Sequence, residues 1–316
     1  MVCYHPNLAY QHKFKVNSNT GRPLFVVVGK SGTPPFSTAN PSSDWIEKYV
    51  RCGQCIGCRL DNARSWGVRG VHEAKMHDKA SFLTLTVDDE HMYWSTQSGE
   101  QTLNYDVVQK FFKRLRKNTG RSFRFICCGE YGSNTHRPHY HVLLYGLDFK
   151  EDRYFYKLNK YGDPYFISPF LDDTWQQGNC CIGQVNFQTC AYVGRYVTKK
   201  LNGELGKKEY EHINEPFIHA SNRPGIGATW FEQFHKDVYP YDRCVVNYNG
   251  NMRLIRPPRY YDKLLEKMDP EMYDYVKSKR EEKAEKFTED IYNDRLFYKE
   301  LYKLKVSEES LRRDLE

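Results

Sequence analysis

Phe123-Arg-Phe-Ile-Cys-Cys128-Gly-Glu130-Tyr-Gly132-Ser-Asn-Thr-His-Arg137-Pro-His139-Tyr140-His141-Val-Leu-Leu-Tyr145 is the stretch that decides the fold. Phe123–Cys128 and His139–Tyr145 are aromatic and aliphatic runs of strand length. Gly129–Pro138 between them supplies Gly, Ser, Asn and Pro, the residues of a hairpin connection. Within the second strand His139 and His141 are two residues apart, so both imidazoles face one side of the sheet while Tyr140 faces the other. A hairpin brings Glu130 beside the pair. Two imidazoles and a carboxylate form a mixed nitrogen and oxygen donor set, suited to holding Mg²⁺ or Mn²⁺ against a phosphate oxygen. Two unrelated strand histidines are the plainer alternative.

Working outward, Ser81–Val87 reads as a strand and Asp106–Lys117 as a helix whose apolar face is Val107, Val108, Phe111, Phe112 and Leu115. Further strands are expected at Leu24–Val28, short and buried, and at Gly183–Phe187. Helices are expected from about Leu60 to His77, at Cys190–Leu201 and at Ala228–Val238. Cys244–Tyr248 and Met252–Ile255 flank Asn249-Gly250, a strong hairpin signal. Gly32–Ser43 reads as a loop, and Gly203–Pro224 as polar and irregular. From Tyr260 onward the chain is charged, helical and partly exposed, with a break at Pro270. Strands and helices mix without a regular βα repeat, so the class is α+β with an antiparallel sheet. Four segments follow: 1–78, Cys-rich; 79–202, the core; 203–261, an accessory α/β segment; and 262–316, a charged helical tail.

The 316 residues suffice for a substantial core without disulfide support. Mean hydropathy is −0.77, polar for a globular chain. No run of 18 apolar residues exists, which excludes a membrane-spanning helix. The opening residues lack an apolar signal-peptide core, so secretion is not expected and the ten cysteines read as free thiols or metal ligands. Formal charge is +7, with 13 basic and 16 acidic side chains from Asp262 to Glu316, so residues 1–261 carry +10. A basic body suits an anionic polymer as partner. Aromatic residues make up 15% of the chain, and tyrosine can stack on unpaired bases.

Tyr192-Val-Gly-Arg195-Tyr196-Val-Thr-Lys199 forms the second chemical element. On a helix, Tyr192, Tyr196 and Lys199 share a face. A phenol is a poor nucleophile at neutral pH, and a nearby cation or a metal-polarised phosphate lowers that barrier. Core tyrosines on an amphipathic helix are the commoner meaning of such spacing. Cys52-x-x-Cys55-x-x-Cys58, with Cys3 as a fourth thiol, matches a closed structural Zn²⁺ site, against reduced surface thiols or a redox pair. The other six cysteines read as small buried hydrophobes. Lys113, Arg114 and Lys117, with Arg195 and Lys200 near the tyrosines, are candidate phosphate contacts. Arg223-Pro-Gly-Ile-Gly227 is either a backbone-rich loop approaching a nucleotide or a turn.

With these motifs in hand, the chain resembles the HUH endonucleases, rolling-circle initiators and relaxases. His139-Tyr140-His141 resembles their paired-histidine motif, Tyr192 and Tyr196 with Lys199 their two-tyrosine motif, and Phe82–Thr86 their first motif, in the same order. Tyr140 departs from the pattern, since a smaller aliphatic is common there. Cys52–Cys58, Gly129–Gly132, Arg137–His141 and Arg223–Gly227 together resemble, more closely, the replication initiators of gokushovirus-type microviruses, from Cys3 to about Asp262. The resemblance implies an HUH core with Glu130, His139 and His141 holding Mg²⁺ or Mn²⁺. It further implies a tyrosine that nicks the phage origin, single-stranded or supercoiled, leaving a 5′-phosphotyrosine and a 3′-OH primer. Tyr196, three residues before Lys199, is the favoured first nucleophile. No Gly-x-x-x-x-Gly-Lys-[Ser/Thr] loop is present, so a host helicase and a host polymerase are expected partners, in the cytoplasm of the bacterial host. The alternatives are a non-catalytic zinc-containing nucleic-acid-binding protein and a metal phosphodiesterase that uses water.

Overall fold

The computed structural model describes residues 3–18, 21–29, 34–36, 42–132, 135–159, 162–199, 208–248, 250–285 and 295–312. Most of the loop expected at Gly32–Ser43 lies outside these residues, as do Asn249, Lys200 and Leu201. Two compact units are formed. One combines Met1–Asp61 with Glu285–Glu316, and the other is Asn62–Ala284.

The first unit is a three-stranded antiparallel sheet, β1 (Asn7–Val16) between β2 (Pro23–Gly29) and β3 (Trp45–Val50). The strand expected at Leu24–Val28 is present but not buried. Phe25 and Val27 are exposed, because β2 is an edge strand that nothing covers on that side. Helix α1 (Ile56–Ala74) begins four residues after Cys52, and α8 (Arg295–Arg312) belongs to this unit.

The second unit is built on a seven-stranded antiparallel sheet. β4 is Ala80–Thr86, β5 Arg124–Tyr131, β6 Pro138–Tyr145, β7 Tyr154–Leu158, β8 Pro164–Ile167, β9 Cys180–Gly183 and β10 Phe217–Ala220. Their spatial order is β10-β5-β6-β4-β9-β8-β7. One face packs on α2 (Tyr105–Thr119) and α3 (Pro169–Trp175), through Leu83, Leu85, Cys127, Tyr140, Val142 and Leu144 against Val107, Val108, Phe111, Phe112, Leu115 and Trp175. The opposite face packs Phe82, Ile126, Cys128, Leu143 and Tyr145 on Cys190 and Val193 of α4 (Phe187–Lys199). Period-two alternation separates the two sets.

Local chemistry sets the helix ends. Asn104 caps α2, its side chain accepting from the Asp106 N–H at 2.9 Å, and Gly120 closes it at φ 64°. The strand expected at Gly183–Phe187 instead ends at Gly183. Asn186 and Thr189 bond reciprocally through side chain and backbone N–H at 2.8 and 2.9 Å, which turns the chain into α4 from Phe187. Gly203–Pro224 is not wholly irregular, since β10 completes the sheet beside β5. Gly129 permits this: a Cβ there would meet the Phe217 ring at 2.6 Å.

Behind α4 the chain folds as α5 (Ala228–Val238), the hairpin β11 (Cys244–Tyr248) and β12 (Asn251–Ile255), α6 (Arg259–Met268) and α7 (Pro270–Glu285). They share a core with Val68 and Phe187. The Arg223–Gly227 loop is a packing element. A Cβ on Gly225 would strike the Tyr260 hydroxyl, one on Gly227 would meet that of Tyr261 at 2.7 Å, and the Gly227 N–H donates to Glu73 at 2.6 Å. Cys127, Cys128, Cys180, Cys190 and Cys244 are buried and Cys181 is half-buried.

Two expectations follow. Gly194 of α4 faces α1 so closely that a Cβ would lie 2.8 Å from Trp66 Cβ and 2.9 Å from the Ala63 carbonyl. Gly194→Ala, which in an open helix stabilises by up to about 1 kcal/mol, should here destabilise by about 1–3 kcal/mol in urea unfolding. His72 is buried, stacked 3.4 Å from Trp230 and hydrogen-bonded to the Tyr261 hydroxyl at 2.9 Å. Burial, with Lys75 adding repulsion, pushes its pKa down from 6.5 to about 3. The unfolded chain therefore binds the proton first, and stability should fall by about 1.4 kcal/mol per pH unit below about pH 6. His72→Phe should flatten that slope in pH-dependent unfolding.

Candidate active site

β5 and β6 pair with Glu130 directly opposite His139, and β6 and β4 pair with Thr84 opposite His141. This register puts Glu130, His139, His141 and Thr84 on one sheet face. Glu130 Oε1 lies 2.8 Å from His139 Nε2 and 3.0 Å from His141 Nε2. Glu130 and His141 are buried, and His139 is partly open. The remaining ring nitrogens are held from behind. His139 Nδ1 donates to the Arg137 carbonyl at 3.1 Å, and His141 Nδ1 bonds the Thr84 hydroxyl at 3.1 Å. Arg137 is itself fixed by two bonds to the Val87 carbonyl, at 3.0 and 2.8 Å.

These donors fit a divalent cation. With Nδ1 of His139 protonated toward a carbonyl, a neutral ring presents a bare lone pair to a carboxylate oxygen. That arrangement is repulsive unless a proton or a cation lies between them. Cis ligands of an octahedral ion with bonds of about 2.1 Å stand about 3.0 Å apart, the spacing found here. Burial alone would raise the Glu130 pKa, but the hydrogen bonds and charge of His139 and His141 outweigh it and hold the carboxyl below its ordinary value. The carboxylate is thus ready to bind a metal at neutral pH.

Helix α4 crosses this face. The Tyr192 hydroxyl is 3.5 Å from Glu130 Oε1, and the Tyr192 ring stands edge-on to His141 at 5.1 Å and to Phe82 at 6.4 Å. Tyr196 and Lys199 follow in the same helix, and their side chains lie outside the described residues, as does all of Lys200. Arg195 is half-buried on α4.

The basic residues of α2 are elsewhere. α2 packs on the face opposite the histidines, so the sheet separates Lys113 and Lys117, both exposed, from Glu130. Arg114 is used internally: Nε donates to the Thr174 carbonyl and Nη2 to the Trp175 carbonyl, both at 2.8 Å. Thr84 was the site residue that sequence reasoning passed over, since Phe82–Thr86 carried no signal beyond a buried strand. Its position two residues before Thr86 on the face of Phe82 was the available clue.

In the first unit Cys3, Cys52, Cys55 and Cys58 converge, all four sulfurs lying within 4.8 Å of one another. Burial raises the Cys52 thiol pKa, but N–H groups of Cys55 and Gln54 directed at its sulfur bring it down to about 7.

Removing the Thr84 hydroxyl leaves His141 free to turn. Partners of this kind are worth about 10–100-fold in metal affinity. Thr84→Val should weaken Mn²⁺ binding by that factor in calorimetric titration, with the fold unchanged by circular dichroism.

Comparison with known proteins agrees with this geometry. Residues 80–201, from β4 through α4, match the family model for replication-associated protein ORF2. The chain is 32% identical over 273 residues to replication-associated protein VP4 of Bdellovibrio phage phiMH2K, covering 84% of each. It is 30% identical over 248 residues to replication-associated protein ORF2 of Spiroplasma virus 4, covering 76% of each. It is 27% identical over 227 residues to replication-associated protein ORF4 of Chlamydia phage 1, covering 69% of this chain and 53% of that one. No solved structure matches. Among the described residues no helix is long and apolar enough to cross a membrane. The matched span holds Glu130, His139, His141 and both tyrosines, and the identity extends over most of the chain: it belongs to the family of phage replication-associated proteins.

Proposed function

We propose that this protein initiates rolling-circle replication by nicking one strand of the phage origin with a tyrosine nucleophile. The observation that carries the reading is the convergence of Glu130, His139 and His141 with the Tyr192 hydroxyl 3.5 Å from the same carboxylate oxygen.

Glu130, His139 and His141 would hold Mg²⁺ or Mn²⁺. Such an ion supplies Lewis acidity toward a phosphate oxygen and neutralises charge as the phosphorus is attacked. The phenol oxygen of Tyr192 or Tyr196 bonds to phosphorus and the P–O3′ bond breaks. The phenol proton passes through solvent to the departing 3′ oxygen. Products are a 5′-phosphotyrosine and a 3′-OH end. One diester replaces another, so the reverse joining stays accessible. Lys199, with Arg195 and Lys200 near it in sequence, would offset phenolate and phosphate charge. Lys199 spacing favours Tyr196 as first nucleophile, while the nearness of Tyr192 to Glu130 gives it an equal claim. Two tyrosines one helical turn apart let one cut the regenerated origin while the first linkage is resolved. A host polymerase would extend the 3′-OH, and a host helicase would unwind the duplex, in the cytoplasm of the bacterial host.

Labelled single-stranded origin DNA, incubated with Mn²⁺, Mg²⁺ or EDTA, tests this on denaturing gels. Metal-dependent cleavage with a protein-bound label is expected, lost in Tyr192→Phe/Tyr196→Phe. The single variants assign the first nucleophile. With two imidazoles among the donors, Mn²⁺ should act at lower concentration than Mg²⁺. His139→Ala should reduce the rate by at least about 100-fold, the equivalent of a few kcal/mol of metal assistance. Cleavage without an adduct in the double variant would instead mean that water is the nucleophile. Binding without cleavage under any metal would reject the enzyme reading.

A further inference from the structure

The four-cysteine cluster lies apart in sequence from the strand and helix that carry the nicking residues, and the proposed chemistry does not use it. We infer that Cys3, Cys52, Cys55 and Cys58 bind one Zn²⁺ ion tetrahedrally, and that this ion holds the N-terminal unit together.

The spacing of the sulfurs selects the occupant. Cys3 to Cys52 is 3.6 Å, Cys52 to Cys58 4.0 Å and Cys55 to Cys3 4.0 Å. A disulfide requires about 2.05 Å. A Zn–S bond of about 2.3 Å gives a tetrahedron with edges of about 3.8 Å, the mean spacing seen here. Thiolates around a multi-iron cluster must stand further apart, because the cluster itself fills the space between them. Backbone N–H groups already point at the sulfurs: Tyr4 at Cys55 (3.3 Å), Cys52 at Cys3 (3.3 Å), Cys55 at Cys52 (3.3 Å) and Cys58 at Cys55 (3.5 Å). Such donors disperse charge on thiolates. A four-thiolate zinc site carries two negative charges. Arg51 bonds the Cys58 carbonyl at 3.3 Å, and Arg59 interacts electrostatically with Cys55 while its buried Nε has no hydrogen-bond partner among the described residues. Both guanidiniums offset that charge. On binding, the thiol protons and the water ligands of the ion pass to solvent.

The unit's poverty of core gives the ion its role. Its buried apolar side chains, among the described residues, are Ala9, Tyr10, Cys55, Cys58 and Leu296, and two of these are cluster cysteines. Phe14, Phe25, Val27 and Ile46 of the sheet are exposed. So small a core does not offset the entropy of ordering three strands. Cys3 precedes β1, Cys52 follows β3, and Cys55 and Cys58 open α1, while Asn7 pairs with Val50. One ion therefore pins the pairing of β1 with β3 at its open end and anchors the first turn of α1.

The test uses the full chain, purified under reducing conditions without chelator, with elemental mass spectrometry as readout. One zinc per chain is expected, surviving an EDTA wash that removes Mg²⁺ and Mn²⁺ and released by an organomercurial. The Co²⁺-substituted protein should show the absorption of tetrahedral thiolate coordination. Cys52→Ser should lower zinc content at least two-fold and speed proteolysis within residues 1–61. Cys3→His should keep the zinc, since three cysteines and a histidine form an equally good donor set. Cys181→Ser and His139→Ala should each retain one zinc, the latter separating this site from the nicking reading. Reduced, metal-replete protein without zinc, with iron in its place, or with zinc content untouched by Cys52→Ser would overturn the inference.

Discussion

β6 is covered on both faces, and the register it keeps with its neighbours is what the rest of this chain depends on. Glu130 opposite His139 and Thr84 opposite His141 define the metal-facing side. Tyr140, Val142 and Leu144, on the intervening positions, fill the core against α2 and α3. A slip of one residue would send the histidines into that core and the tyrosine into the site. The apolar interdigitation on one face therefore enforces the chemistry on the other. No separate device is needed to align the carboxylate with the imidazoles.

The tyrosine helix is positioned by the same economy of contact. Gly67 and Gly70 of α1 lie against Phe187, Ala191 and Cys190, and Gly194 of α4 lies against Ala63 and Trp66. Close approach of two helix backbones leaves few ways for α4 to roll, and rolling is the motion that would carry Tyr192 away from Glu130. Capping by Asn186 sets where the helix starts, and thus which residues reach the sheet.

Much of this was legible in the residues. The hairpin that decides the fold announced itself through two strand-length runs around a Gly, Asn and Pro connection, and its pairing alone predicted Glu130 beside the histidines. The helix at Ala228–Val238 and the Asn249-Gly250 hairpin were equally plain, since their signals are local. What escaped was structure made by context. Phe217–Ala220 is a strand because the edge of β5 accepts it, not because four residues in a polar stretch prefer that state. Tyr154–Leu158 is exposed along its whole length, so it lacks the alternation that marks a half-buried strand. The strand misjudged at Gly183–Phe187 shows a short apolar run overruled by a capping pair. Arg114 read as a phosphate ligand because charge is visible in a sequence, whereas the carbonyls of Thr174 and Trp175 that engage it are not.

Tyr140, the departure from the family's usual small aliphatic residue, ties the two faces of the sheet together in another way. Its hydroxyl accepts from the Asn104 N–H and donates to the Asn104 carbonyl, both at 2.9 Å, so one side chain satisfies both backbone groups of the residue that caps α2. The strand that presents the histidines thus also supplies the ligand for a helix start on the far side of the sheet. In a lineage where position 140 becomes aliphatic, those two backbone groups lose their partner, and the turn before α2 must find another or change shape. Positions 140 and 102–104 are accordingly bound to drift together, and a graft of the paired-histidine strand from one relative into another will be tolerated only when that turn travels with it.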